Sequence, residues 1–334
     1  MKGLWRHADL FDPLPSIQPT LGEGDTPLTD LPALARSWGL ESLRLKREDL
    51  NPSGSHKDRG LVFQVASHHG ASPRTHVISS SGNAATSAAA ACAACGDRLV
   101  AFVSADTDPA KLGRIADRGG VVLLADKPVN FARYAARVFG LINLRGTADP
   151  LASVGYRSLG AEIAEAGADH ALTFSSSGVS AEGMLDGFAR RSATTALWSV
   201  QSGLCIALAR ALDADAIEDA DSPAGRLGAK NPPGAEALAA RLQAGGGGAI
   251  ALSGSAVERG RAHLRSVGLQ GSAEGAAVLA AVQDLARAGR IGGRVVAVIT
   301  GAAHAPTPPP PVVALSSYLD VRAFFVDVLG LGPL

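Results

Sequence analysis

One lysine stands where a helix begins. The run Asn51-Pro52-Ser53-Gly54-Ser55-His56-Lys57-Asp58-Arg59-Gly60 is rich in turn formers and gives way to helix-compatible apolar residues just after Lys57. Ser55 is placed to cap that helix, which puts Lys57 in its first turn. The positive end of the helix dipole disfavours an ammonium there. A lysine pushed toward its neutral amine is a nucleophile that condenses with aldehydes. Lys57 is therefore a candidate Schiff-base former. The plainer alternative, a solvated surface charge, sits poorly at a helix N-terminus.

Three other polar runs stand at strand ends. Thr173-Phe174 closes an apolar strand, and Ser175-Ser176-Ser177-Gly178-Val179-Ser180 opens a helix. Such a loop offers backbone N–H groups and hydroxyls to an anion at the positive helix end, although alone it also fits a serine-rich capped turn. In Ser80-Ser81-Gly82-Asn83 the glycine permits a tight turn and Asn83 projects from the next helix start, where in isolation it reads as an N-cap. Thr300 ends the apolar strand Val295–Ile299 just before Gly301. Glu274 reads as a first-turn glutamate complementing a helix dipole. Cys92-x-x-Cys95 lies in an alanine-rich helix with no second pair, so it reads as two small apolar residues. His68-His69 marks a helix end, and His56 faces either substrate or solvent. No phosphate-binding or dinucleotide glycine pattern follows a strand, which weakens nucleotide readings.

The elements that must position these residues alternate along the chain. Apolar, β-branched runs at Thr75–Ile78, Leu99–Val103, Gly120–Leu124, Ala171–Phe174, Ala196–Val200 and Arg294–Ile299 are separated by helical windows such as Leu61–His69, Ala84–Cys95 and Ala273–Ala288. The alternation predicts an α/β fold of two lobes, each a mostly parallel sheet flanked by helices, with a ligand at the carboxyl ends of the strands. Gly245–Gly248 reads as a flexible loop. Pro306 to Pro311 holds five prolines in six residues and predicts a stiff extended connector. Residues 312–334 then read as a tail helix packed on the body or on a neighbouring subunit.

Composition narrows the function. The chain has 334 residues, 46% of them hydrophobic, enough for two packed domains. Lys plus Arg and Asp plus Glu both number 31, which argues against nucleic acid or an anionic membrane as the main partner. Aromatics at 4% provide no stacking platform for single strands. No window of about 18 or more strongly apolar residues occurs, so no membrane span is expected. Three cysteines and an N-terminus without an apolar signal core fit a reducing, cytoplasmic setting.

The lysine run also resembles the Asn-Pro-Thr-Gly-Ser-x-Lys-Asp-Arg segment of fold-type II pyridoxal phosphate (PLP) enzymes, threonine synthases most closely. Glu23-Gly24-Asp25-Thr26-Pro27-Leu28 resembles the entry segment of threonine synthases, and Leu45-Lys46-Arg47-Glu48-Asp49 the strand leading to the cofactor lysine. Ser80–Asn83, Gly155–Ile163 with Glu162, and Ile299-Thr300-Gly301 resemble later family segments in the same order. The matches span roughly residues 20–305.

The resemblance implies that Lys57 holds pyridoxal 5'-phosphate and later takes the substrate's α-proton. It implies that Ser176, Ser177, Gly178, Val179 and Ser180 hold the cofactor phosphate, with serines and Val179 replacing several family glycines. Val179 resists positive φ, so a different loop path is expected. Asn83 would contact the ring hydroxyl and Thr300 the pyridine nitrogen, a pairing that favours elimination and replacement over transamination. Ser80, Ser81, Asn83 and Ala84 would surround the substrate carboxylate, with Ala84 and Ala85 standing where relatives often carry a hydroxyl. A smaller lobe of 47–152 would be inserted in a larger one of 1–46 plus 153–305, with 306–334 as connector and tail. A homodimer is implied.

The implied reaction is that of a threonine synthase, O-phosphohomoserine and water giving threonine and phosphate. The late loop Thr300-Gly301-Ala302-Ala303-His304 lacks the lysine those enzymes tend to carry, and Arg59, Lys111 and Arg157 are the candidates for a second phosphate site. The alternatives are β-replacement or β-elimination on a serine or cysteine derivative and, in another class, a noncatalytic binding paralogue of the same fold.

Overall fold

Buried parallel strands need apolar side chains on both faces, and the β-branched runs of this chain supply them. The computed structural model describes residues 2–71, 74–213, 217–225, 230–305 and 307–333. The strands among them are β1 (Leu28–Asp30), β2 (Ser42–Lys46), β3 (Thr75–Ser79), β4 (Arg98–Ser104), β5 (Val121–Ala125), β6 (Ile142–Asn143), β7 (His170–Phe174), β8 (Ala196–Ser202), β9 (Gly248–Leu252), β10 (Arg294–Val298) and β11 (Val313–Leu315). They form two sheets. The larger has the order β1-β2-β10-β7-β8-β9 and the smaller β11-β5-β4-β3-β6. Every pairing is parallel except β1 with β2.

Alternation along β10 shows how the larger sheet is covered. Val295, Ala297 and, just past the strand's end, Ile299 enter one core with the helix Ala273–Arg287, while Val296 and Val298 enter the opposite core with Leu159, Ile163 and Met184. The smaller sheet repeats the pattern on β4. Leu99, Ala101 and Val103 face the core that includes Leu61, Val65 and Ala88, and Val100 and Phe102 face the other side. The α/β fold of two parallel sheets flanked by helices is therefore the observed one. Among the described residues, no helix is long and apolar enough to cross a membrane.

Two parts of the chain depart from the sequence reading. Gly248 does not belong to a loop but opens β9, whose Gly-Ala-Ile-Ala-Leu run pairs with β8. The tail begins with a strand: β11 lies parallel to β5 at the edge of the smaller sheet. A helix Tyr318–Ala323 follows, and Phe325 packs against Phe102 and Phe139 at centroid distances of 6.2 and 5.1 Å. The tail thus packs on the body, covering an apolar face of the smaller sheet. Pro306, the first residue of the proline run, lies outside the described residues.

Candidate active site

The helix Lys57–His68 begins at the lysine itself. Its formal cap is His56 rather than Ser55, but the Ser55 hydroxyl accepts the Lys57 N–H at 3.2 Å, so Ser55 still satisfies the first turn. Lys57 borders a cavity of about 510 Å³. Its Nζ lies 5.7 Å from the centroid of the Tyr156 ring, and among the described residues no carboxylate pairs with it. Burial lowers its pKa to about 8. Desolvation, rather than the helix dipole expected from the sequence, is the cause.

This shift gives the first testable outcome. Only the neutral amine attacks an aldehyde. The rate at which cofactor-free protein takes up pyridoxal 5'-phosphate should therefore rise with pH and level off just above pH 8. A rate still climbing toward the ordinary lysine value of 10.5 would contradict the burial.

What fixes Lys57 is a buried ion network that gathers the separated sequence segments. Arg59, two residues on and fully buried, donates to Glu48 through Nε (2.8 Å) and Nη2 (2.9 Å), and to Glu162 through Nη1 (2.7 Å) and Nη2 (2.8 Å). Lys46 adds an ion pair to Glu162 at 2.6 Å. Thr26 donates its hydroxyl to Glu48, and the Asp25 N–H reaches Glu162 at 3.0 Å. The loop before the lysine is held separately: buried Asp58 accepts the Ser53 N–H at 2.8 Å and its hydroxyl. Planar guanidinium forks suit this double carboxylate clamp in a way that lysine would not.

The other sequence candidates come from strand ends. After β3, Ser80, Ser81, Asn83 and Ala84 border the cavity. Gly82 is the cap of the helix Asn83–Cys95, so Asn83 occupies the first helical position rather than the cap. After β7, Ser175, Ser176, Ser177, Val179 and Ser180 border it as well. Gly178 takes the positive φ (+84°), and Val179 begins the helix Val179–Arg190 without strain. The loop path expected to differ at Val179 is thus set by Gly178. Gly178 itself turns away from the cavity: a Cβ there would stand 2.4 Å from Leu238. First-turn N–H groups of this helix lack carbonyl partners within it, and Val179 and Ser180, which carry two of them, border the cavity.

Thr300, beyond β10, is buried in the same wall. Its carbonyl accepts the His56 N–H at 3.1 Å, the Ser55 hydroxyl at 3.1 Å and His56 Nδ1 at 2.8 Å. A carbonyl only accepts, so the His56 Nδ1 carries the hydrogen. Burial, then the nearby Lys57, lowers the His56 pKa to about 3, and the ring is neutral. His56 is therefore a tie between the lysine segment and the end of β10. Glu274, read as a dipole partner, also borders the cavity from the start of a helix capped by Ser272. Cys92 is buried in the core as read, with burial raising its pKa.

Two of the proposed anion-binding residues are elsewhere. Arg59 is consumed by two glutamates, and Arg157 pairs with Asp186 at 3.3 Å. Lys111 does border the cavity, joined by Arg114 and Arg145, which the sequence reading did not single out. Arg145 donates to Ser79 Oγ at 3.0 Å and Thr147 Oγ1 at 3.1 Å. Neither arginine follows a motif or period, so only the tertiary structure shows that they converge.

A cavity bordered by an amine that burial pushes toward its neutral form, by serines at a helix start and by neutral hydrogen-bonding side chains fits an aldehyde-bearing pyridine with a phosphate tail. With two parallel α/β sheets, these groups describe the PLP-dependent enzymes of fold type II. Residues 19–301 match the family described as pyridoxal-phosphate dependent enzyme, and the chain belongs to it. Among curated relatives, threonine synthase of Halalkalibacterium halodurans is 39% identical over 30% of this chain and 29% of that protein. Threonine synthase of Mycobacterium leprae is 32% identical over 44% of this chain and 42% of that one. The chain spans less than half the length of these relatives. Among solved structures, serine racemase from Dictyostelium discoideum superposes with a TM-score of 0.73 at 16% identity, over 84% of this chain and 93% of that one. Diaminopropionate ammonia lyase from Escherichia coli gives 0.70 at 17% identity, over 85% of each. These similarities establish the fold.

Proposed function

We propose that the enzyme catalyses elimination or replacement on an amino acid with an anionic leaving group, in the manner of threonine synthase. The carrying observation is the charge of the cavity. Lys57, Lys111, Arg114 and Arg145 border it against only two carboxylates, Asp108 and Glu274. Among the described residues, Lys111, Arg114 and Arg145 have no ion-pair partner. With the cofactor phosphate held by hydroxyls and backbone N–H groups, Lys111 and Arg145 would be left for a second anion. O-phosphohomoserine carries one, and the partial matches to threonine synthases support that substrate.

Pyridoxal phosphate would supply an aldehyde and a ring that withdraws electrons from the substrate's α-carbon. Lys57 would hold it and afterwards take the α-proton, for which an amine titrating near 8 is suited. The turn carrying Ser80, Ser81 and Asn83 would hold the substrate carboxylate, and Thr300 the pyridine nitrogen. The serines and first-turn N–H groups from Ser176 to Ser180 would hold the cofactor phosphate. Arg145 and Lys111 would hold the leaving phosphate.

A second reading, β-replacement on a serine or cysteine derivative, is favoured by the late loop, which brings Ala302 and His304 to the cavity and no cation. The test is phosphate release from O-phosphohomoserine by the purified holoenzyme. Arg145→Ala should raise KM for that substrate roughly ten- to a hundredfold, the loss of one or two charged hydrogen bonds. Loss of a serine ester with no phosphate release would assign the second reading.

A further inference from the structure

We propose that Arg114 is a positioning residue that sets which end of the Asn83 amide faces the cofactor ring. The inference rests on the cofactor reading above. Arg114 lies on the helix Pro109–Ala116, and its Nη2 donates to Asn83 Oδ1 at 3.3 Å and to the Ser53 carbonyl at 3.2 Å. A guanidinium has five donors and no acceptor, so it engages only the oxygen of an amide. This fixes the orientation of Asn83 by chemistry: the oxygen faces Arg114 and the NH₂ faces away. On that far side, Asn83 Nδ2 lies 2.9 Å from the point where a Cβ on Gly301 would stand. The amide nitrogen thus rests beside the residue following Thr300, with a glycine leaving it room. An NH₂ held there is a donor, and the hydroxyl oxygen carried by the pyridine ring is an acceptor. The same guanidinium nitrogen, through Ser53, ties Asn83 to the loop that delivers Lys57. Without Arg114 the amide oxygen loses the donor that holds it away from the ring, and the amide is less firmly oriented.

The test measures cofactor rather than turnover. The holoenzyme is stripped and retitrated with pyridoxal 5'-phosphate, and its dissociation constant and visible band are recorded without substrate. Arg114→Gln, which can donate or accept, should weaken binding about tenfold, the worth of one hydrogen bond, and shift the band. Arg114→Lys, which can only donate, should restore most of both. Combining Arg114→Gln with Asn83→Ala should cost no more than Asn83→Ala alone. Gly301→Ala, which crowds the amide from the opposite side, should reproduce the loss without touching the guanidinium, and it serves if Arg114→Gln fails to fold. Unchanged cofactor affinity and band in Arg114→Gln, with only KM for substrate raised, would make Arg114 a substrate contact and overturn the proposal. Additive losses with Asn83→Ala would overturn it equally. A wild-type protein that takes up no cofactor would instead sink the cofactor reading.

Discussion

Lys57→Ala is expected to remove the visible absorption of the holoenzyme and to lower kcat by about a hundred- to ten-thousandfold, the range contributed by a positioned proton-transfer group. The expectation has a geometric reason. It stands at the first position of its helix, bordering the cavity, and the next two residues, Asp58 and Arg59, are engaged in anchoring bonds. Lys111 borders the same cavity but has no comparable anchoring. Stability should hold or rise, because the substitution deletes a desolvated amine with no carboxylate partner among the described residues. Parallel activity and absorbance measurements check the pair of losses, and a urea curve checks the fold. A variant that keeps both colour and turnover would require another lysine in the role.

The second large effect lies away from the chemistry. Arg59→Ala should destabilise the protein by about 3–5 kcal/mol, because it leaves Glu48 and Glu162 buried and unpaired. The urea midpoint should fall at an unchanged slope. Glu162→Gln should act similarly, since it leaves Arg59 and Lys46 in excess. The pH dependence has a definite sign. Burial alone would raise the Glu162 pKa, but Arg59 and then Lys46 outweigh it and hold the carboxyl well below its ordinary 4.5. A folded-state value below the unfolded one contributes stability above pH 4.5, and that contribution is lost as pH falls below it. In Glu162→Gln this part of the acid sensitivity should disappear. An Arg59→Ala protein as stable as wild type would show that the network is incidental.

That network explains why the chain was readable where it was. Glu23–Leu28, Leu45–Asp49, the lysine run and Glu162 stood out as separate resemblances, and in the structure the last three meet through Arg59. The pairing itself was illegible, because Arg59 and Glu162 are 103 residues apart and nothing local links them. Strands β3, β4, β5, β7, β8 and β10 were legible from apolar β-branched runs, since both faces of a parallel sheet are buried. β9 was missed because its first residue ends a glycine run that resembles a loop, and β11 because prolines precede a strand of only three residues. The serine loop was legible as a polar turn opening a helix, but the positive φ of Gly178 and its turn toward Leu238 were not. The cations bordering the cavity were the hardest part. Arg59 and Arg157 were named and proved anchored elsewhere, while Arg114 and Arg145 carry no local signature and meet only through the tertiary fold.

The most direct test of the central claim is chemical. Borohydride reduction of the holoenzyme fixes the cofactor to whichever amine holds it, and peptide mass mapping then locates the added mass. The mass should fall on the peptide containing Lys57 and be absent from Lys57→Ala. Added mass on Lys111 or another lysine, or none on a protein that has bound the cofactor, would contradict it.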